Sequence, residues 1–200
     1  MFRSSVPMKS RTPFAITVVA LFVAHSAFAH EVEVSALLTG SSELPPNASP
    51  GTGSAMVTLD LDVITLRVQA SFSGLLGTTT ASHINAPTTT AGIGIAGIAT
   101  PLPGFPIGVT SGVYDQTIDL TVASSYDPAF ITSSGGTVSQ ALNALIFALE
   151  DGKSYLNIET TAVPTGEIRG FLVPEPATLG LAVLGAAGLF AIRARAKRVG

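Results

Sequence analysis

The chain has 200 residues, no cysteine and a formal net charge of −3. This length suffices for one ordinary hydrophobic core but not for two comfortable domains, and without cysteine no disulfide can support the fold. Residues 30–173 carry twelve carboxylates against three cations, a net charge of −9, which excludes nucleic acid and anionic lipid as favoured partners.

The first 29 residues have the pattern of a secretory signal peptide. A stretch with three cations precedes an eleven-residue apolar run at 14–24, which is too short to span a membrane. Ala27 and Ala29 form a small-x-small cleavage site, so signal peptidase would leave His30 as the new N-terminus. The alternative is an uncleaved N-terminal anchor.

The next part of the chain predicts β-strands. Residues 64–72 alternate between apolar and polar side chains, and this period of two predicts a strand with one buried and one solvated face. Residues 55–61 alternate less cleanly, residues 60–63 are predicted to turn between these two strands, and residues 32–38 are a candidate first strand.

Residues 87–112 are rich in threonine, glycine and proline and predict a long irregular connection. Isoleucines between positions 93 and 98 indicate that part of this connection pairs or packs. Residues 117–123 alternate again and predict another strand. The residues predicted to face inward are Ile118, Leu120 and Val122.

Residues 137–150 predict one amphipathic helix. Apolar residues from Val138 to Leu149 recur at helical spacing, Thr137 is a suitable N-cap, and Gly152 stands where helices favour a C-terminal glycine. The helix would pack on a β core.

Residues 155–160 and 167–172 predict a closing hairpin around the turn sequence Pro164-Thr165-Gly166. Alternation places Glu167 and Arg169 on one face. Glu159 would then lie across from Arg169 or on a diagonal to it, which makes Glu159 the expected partner of that cation. The alternative is that Arg169 points to solvent.

Residues 174–200 have three parts. The motif Pro174-Glu175-Pro176 leads into an apolar run at 177–192, and a basic cluster follows. As a helix the run would span roughly 24 Å, a little short of a ~30 Å hydrocarbon core, with its basic end on the cytoplasmic side. The pattern resembles the PEP-CTERM sorting signal, at which an exosortase-type membrane protease acts. The alternative is an ordinary C-terminal membrane helix whose start the prolines mark.

Several pieces along residues 36–172 together resemble the CHRD domain, in the order of that family. The pieces are Leu38-Thr39-Gly40, Glu43-Leu44-Pro45-Pro46, Gly51-Thr52-Gly53-Ser54-Ala55, Leu59-Asp60-Leu61, Ser71-Phe72-Ser73-Gly74-Leu75, Ala81-Ser82-His83-Ile84, Tyr155-Leu156-Asn157-Ile158 and Gly166-Glu167-Ile168-Arg169-Gly170. The resemblance implies a β-sandwich or barrel-like unit with no established enzymatic activity.

The chain departs from the family pattern at its histidines. The family often has His-x-His where this chain has His83-Ile84-Asn85, and a further histidine where this chain has Glu159. Such a site would be similar to the copper and zinc ligands of superoxide dismutase. His83, Asn85 and Glu159 are therefore the candidate metal ligands, although asparagine is a poor ligand for either metal. The alternative is a hydrogen-bonded polar network, and no cofactor is expected.

The sequence shows no cysteine nucleophile, no Gly-x-Ser-x-Gly elbow and no phosphate-binding loop ending in Gly-Lys-Ser/Thr. We therefore expect a mainly β, single-domain, non-enzymatic protein with a signal peptide at 1–29, a CHRD-like domain at 30–173 and a sorting signal at 174–200. It would be exported, anchored transiently in the inner membrane, and then placed in the cell envelope or outside the cell.

The expected function is a structural or adhesive role at the surface or in the extracellular matrix. The expected partners are the secretion machinery, the exosortase-type protease, and exopolysaccharide or other envelope components. The alternative function is a metal-binding or enzymatic domain of superoxide-dismutase-like architecture.

Overall fold

The computed structural model describes residues 31–174, which form one antiparallel sheet of eight strands with two helices. The sheet order is β5-β4-β7-β8-β1-β2-β3-β6, and the sheet curls into a half-barrel. The strands are β1 (Glu31–Thr39), β2 (Thr52–Asp60), β3 (Thr65–Ser73), β4 (Thr79–Asn85), β5 (Ile98–Pro101), β6 (Gly112–Asp119), β7 (Ser154–Thr160) and β8 (Ile168–Pro174). The helices are α1 (Pro128–Ser133) and α2 (Val138–Glu150). The predicted mainly β fold is confirmed, in its barrel-like form.

The hydrophobic core lies on one face of the sheet, which we call the inner face. Alternating residues of β3 show the pattern most clearly, because Leu66 and Val68 are fully buried while Arg67 between them is exposed. Helix α2 packs against β1, β7 and β8 on this face and buries Leu145 and Leu149 completely. The opposite, outer face carries exposed polar side chains such as Arg67 together with some exposed apolar ones.

The strands predicted at 32–38, 55–61 and 64–72 are confirmed as β1, β2 and β3, with a turn between the last two. The strand predicted at 117–123 is wrong in its bounds, because β6 ends at Asp119. The Asp119 carboxylate accepts the backbone N–H of Thr121 at 2.8 Å and turns the chain there. Val122, predicted to face inward, is consequently 42% exposed.

The predicted helix at 137–150 is confirmed as α2. The Thr137 side chain accepts a hydrogen bond from the backbone N–H of Gln140, and Gly152 has a left-handed φ of 63° just beyond the helix end. The second helix, α1, was not predicted. Its N-cap Asp127 followed by Pro128 is a helix-start signal, but six residues are too few to show a period.

The long connection at 87–112 contains β5, which pairs with β4, so the expectation that part of it pairs is confirmed. The hairpin of β7 and β8 is also confirmed. The predicted signal peptide with Ala27 and Ala29, the apolar run at 177–192, Glu175 and Pro176 lie outside the described residues. Within residues 31–174, no helix has the length and apolar character needed to cross a membrane.

Candidate functional site

The outer face of β4, β7 and β8 carries a row of polar side chains. The strand register sets His83 of β4 opposite Asn157 of β7, and Asn157 opposite Arg169 of β8. Residues that face each other across antiparallel strands project to the same side, so these three side chains are neighbours. The loops at 40–51 and 86–97 cover part of the row. We call this group, with Glu43, Tyr155 and Glu159, the polar cluster.

Arg169 lies at the centre of the polar cluster and is only 5% exposed. Its Nε donates to the Ser42 carbonyl oxygen at 2.5 Å, and its Nη1 donates to the Gly94 carbonyl oxygen at 3.2 Å. The guanidinium carbon lies 4.8 Å from the centre of the Tyr155 ring. One buried cation therefore fastens both covering loops to the hairpin.

The carboxylate nearest to Arg169 belongs to Glu43, with 3.7 Å between Nε and Oε2. The prediction that Glu159 pairs with Arg169 is therefore wrong. Glu159 lies on the diagonal from Arg169, as the register predicted, but its Oε1 is 3.5 Å from Nδ1 of His83. The hairpin's own alternation could not reveal Glu43, because that residue belongs to a loop far away in sequence.

Glu43 is buried, and burial raises its pKa to about 7. Arg169 and the backbone N–H of Leu44 oppose this shift, and the charge of Glu159 adds to it. Glu43 Oε1 and Asn157 Oδ1 have no hydrogen-bond partner among the described residues. Both oxygens lie beside Gly166, where a Cβ would be 2.7 Å from Glu43 Oε1 and would overlap Asn157 Oδ1. A protonated Glu43 carries the donor that such a pair of acceptors lacks.

A second buried carboxylate belongs to Glu167, which directly precedes β8. Its side chain has no exposed surface. It accepts hydrogen bonds from Ser49 Oγ at 2.5 Å, Thr160 Oγ1 at 2.6 Å, the Leu76 N–H at 2.6 Å and the Gly77 N–H at 3.1 Å. Burial acts to raise the pKa of Glu167, but these four hydrogen bonds outweigh it and hold the pKa below its ordinary value. Glu167 thereby ties two connections to the hairpin.

The three candidate metal ligands are not brought to one point. His83 and Glu159 are neighbours, with side chains 17% and 26% exposed. Asn85 stands opposite Tyr155, whereas Glu159 stands opposite Ala81, so the two are separated by about 13 Å along the strands at ~3.3 Å per residue. The Asn85 amide donates to the Ala96 carbonyl oxygen at 3.1 Å. In the described part of the chain, no three His, Cys, Asp or Glu side chains are grouped to hold a metal ion.

A separate groove of about 870 Å³ lies on the outer face over β8, β1, β2, β3 and β6. Its lining is mostly apolar and includes Leu37, which is 78% exposed, and Val113, which is 79% exposed. Val173, near the end of β8, forms part of its rim. The polar cluster and this groove occupy different parts of the same face.

The fold and the buried polar cluster define a single-sheet β domain whose ionisable groups hold its own loops. Residues 34–172 match the family model of the CHRD domain, and the chain belongs to that family. Residues 172–196 match the PEP-CTERM protein-sorting motif, which implies export, processing by an exosortase-type system and placement in the envelope or outside the cell. No curated protein and no solved structure matches the chain.

The family motifs contain members of the polar cluster, but the sequence did not predict that these members meet. The pieces that contain Glu43, Asn157, Glu167 and Arg169 were recognised as motifs, and of these four residues Arg169 alone had a predicted side-chain role, with Glu159 as its expected partner. The structure shows that these pieces meet, since Glu43 approaches Arg169 and Glu167 binds the segment after Leu75. Glutamates are mostly exposed in folded proteins, and neither the prolines beside Glu43 nor the strand alternation at Glu167 signalled burial of the carboxylate.

Proposed function

We propose that this chain is an exported, non-enzymatic protein with a structural or adhesive role at the cell surface or in the extracellular matrix. The observation that carries the proposal is the use of the buried ionisable groups. Arg169 and Glu167 direct their hydrogen bonds to carbonyl, amide and hydroxyl groups of the chain's own connections. Side chains engaged in this way stabilise the fold without a cofactor. A protein that acts through its surface needs such a stable fold and no catalytic groups.

The sorting motif supports the destination. A chain with this motif would meet the secretion machinery and signal peptidase first, then remain briefly in the inner membrane by its apolar run, and then meet the exosortase-type protease. Exopolysaccharide or other envelope components are the partners proposed for the released domain. Its net charge of −9 favours basic or neutral surfaces over nucleic acid.

The sorting part is tested by the intact mass of the exported protein from a host that carries the matching protease. The mass should correspond to a start at His30 and an end within residues 174–177. A matched host without the protease should accumulate a membrane-bound form that retains residues 177–200. Mature extracellular protein that still contains residues 180–200 would contradict the proposal.

The structural role is tested by deletion and complementation. Loss of the chain should weaken surface attachment or matrix cohesion, and the His83→Ala and Glu159→Gln variants should restore the wild-type phenotype if they fold. Complementation that fails with these folded variants would favour a chemical role for the pair.

Cation binding is the second candidate function, and the approach of His83 Nδ1 to Glu159 Oε1 at 3.5 Å favours it. Both side chains are partly exposed, and imidazole with carboxylate is a ligand pair that borderline metals accept. Metal analysis of the purified mature protein, with His83→Ala as the matched variant, separates this candidate from the first. A stoichiometric metal that His83→Ala removes would support it.

A further inference from the structure

The sorting motif begins inside the folded sheet. Strand β8 ends at Pro174, which is also the first residue of the Pro174-Glu175-Pro176 motif. The register sets Pro174 opposite Val34 and Val173 opposite Ser35 on β1. The two family matches also meet at residue 172. The domain and its sorting motif therefore share a strand, with no linker between them.

The end of β8 is held on one side. Pairing with β7 ends where Ser154 faces Leu172, so the described partner of the last two residues is β1. Leu172 is fully buried, whereas Val173 is 45% exposed. Val173 and Pro174 are themselves exposed, so their departure from the sheet removes little buried surface of their own. Strand ends of this kind open locally at low free-energy cost while the rest of the domain remains folded.

A protease binds its substrate as an extended segment, commonly by pairing with the substrate backbone as an added strand. The backbone groups at the end of β8 that pair with β1 are not available to an enzyme until that pairing opens. The chain offers no slack on the other side either, because the apolar run begins at residue 177, directly after the motif. In the proposed function, the membrane protease must therefore reach a motif whose first residue is paired in the sheet and whose last residue directly precedes the apolar run.

We infer that the end of β8 separates from β1 before the membrane protease engages the motif, so that the folded domain sets the rate of its own sorting. The inference rests on the proposed function, in which that protease processes the chain. The rate of processing is reduced by the fraction of molecules whose β8 end is open. Closing the strand end should slow sorting, and added length should accelerate it.

A disulfide clamp tests the first of these effects on the full chain. Ser35 and Val173 face each other, and opposite residues of antiparallel strands bring their Cβ atoms close to disulfide range. The chain has no cysteine, so Ser35→Cys with Val173→Cys allows a single bridge. Pulse–chase labelling should show precursor lifetime extended by about tenfold or more under oxidising conditions, with the native lifetime restored by a reductant.

The matched control places the same bridge elsewhere on the outer face. Ser54 of β2 and Ser71 of β3 are also opposite residues, with 3.1 Å between their hydroxyl oxygens. Ser54→Cys with Ser71→Cys should leave the precursor lifetime unchanged. This pair separates closure of the strand end from the general effect of a disulfide on an exported domain.

A linker insertion tests the second effect without any demand on disulfide geometry. Gly-Ser-Gly-Ser between Val173 and Pro174 should shorten the precursor lifetime several-fold. The same insertion between Gly135 and Gly136, in the turn between α1 and α2, should leave it unchanged. Native lifetimes for both the clamped and the extended chain would overturn the inference while leaving the proposed sorting intact. A native chain that is never processed would instead overturn the proposed function, and this inference with it.

Discussion

Arg169 connects three parts of the molecule that are far apart in sequence. Its side chain lies on β8, its hydrogen-bond acceptors are Ser42 and Gly94 in two loops, and it stacks on Tyr155 of β7. The other two cations among residues 31–174 form exposed pairs, Arg67 with Asp115 and Lys153 with Asp151. All three cations of the described domain thus have a carboxylate partner, and they differ in how deeply they are buried.

Arg169→Ala should lower the free energy of unfolding by about 3–5 kcal/mol, because removal of one partner leaves a buried carboxylate uncompensated. Urea melts of the mature domain at pH 8, where Glu43 is charged, give the measurement. Arg67→Ala and Lys153→Ala are the matched controls and should cause much smaller shifts. Arg169→Lys should be intermediate, since lysine keeps the charge but cannot reproduce the planar fork of donors. Equal and small shifts for all three alanine variants would refute the prediction.

Glu43 gives the domain a stability that depends on pH. Its folded pKa of about 7 lies above the ordinary value of 4.5, so the folded state holds this proton more tightly than the unfolded state. The stabilisation is therefore complete below about pH 4.5 and is lost as the pH rises through 7. The full effect is at most about 3 kcal/mol, at 1.36 kcal/mol per pKa unit.

Glu43→Gln should remove this dependence, because glutamine imitates the protonated side chain at every pH. As the pH is raised from 5 to 8, the unfolding free energy of the wild type should decrease more than that of the Glu43→Gln variant. Glu150→Gln, an exposed change on α2, provides the control and should follow the wild-type profile. Parallel profiles for wild type and Glu43→Gln would show that Glu43 does not titrate in this range.

The elements with a strong local period were predictable, whereas the contacts that the connections make with the sheet were not. Helix α2 and strand β3 bury their apolar residues at a fixed spacing, which the sequence displays directly. Strand β6 was misplaced because the Asp119 side chain ends it through a hydrogen bond that no period reveals. The polar cluster was missed because its members are brought together by the register of β4, β7 and β8 and by two loops.

Glu167 is the contact that fixes the connections at 40–51 and 74–78 to the hairpin. Its carboxylate accepts four hydrogen bonds, and an amide in the same place would set a donor against donors. Glu167→Gln should therefore cost about 2–4 kcal/mol of unfolding free energy. Hydrogen exchange should show faster exchange at the Leu76 and Gly77 amides in particular. Protection unchanged at those two amides would contradict this role.

The loop at 86–97 is held through both carbonyl and N–H groups of its backbone. Gly94 and Ala96 carbonyl oxygens accept from Arg169, Tyr155 and Asn85, while the loop exposes Ile93 and Ile95. Tyr155→Phe should loosen this loop with little change elsewhere, because the hydroxyl bonds both N–H and C=O of Ala96. Limited proteolysis should then cut within residues 91–97. Tyr114→Phe, whose hydroxyl binds Pro103, is the control and should leave that site uncut.

At the scale of the whole molecule, one core joins every strand from β1 to β8. Fully buried residues from the first strand, such as Leu38, and from the last, such as Leu172, belong to the same cluster. The edge strands of the sheet are β5 and β6. In the connection between them, the Phe105 ring lies 5.3 Å from the Phe72 ring and 5.4 Å from the Tyr114 ring, measured between ring centres. A domain with a single core of this kind should unfold as one unit.

The mature domain should therefore melt in a single calorimetric transition that a chelator does not shift. A ligand that binds only the native state raises the melting temperature, and more so as its free concentration exceeds its Kd, so removal of a structural metal would lower it. Arg169 and Glu167 hold the covering connections through hydrogen bonds to protein groups, so we expect the domain to fold without a metal. His83→Ala is the matched variant, since His83 and Glu159 are the ligand pair that the structure brings together. A melting temperature that falls with chelator in the wild type, and not in His83→Ala, would establish a structural metal at that pair.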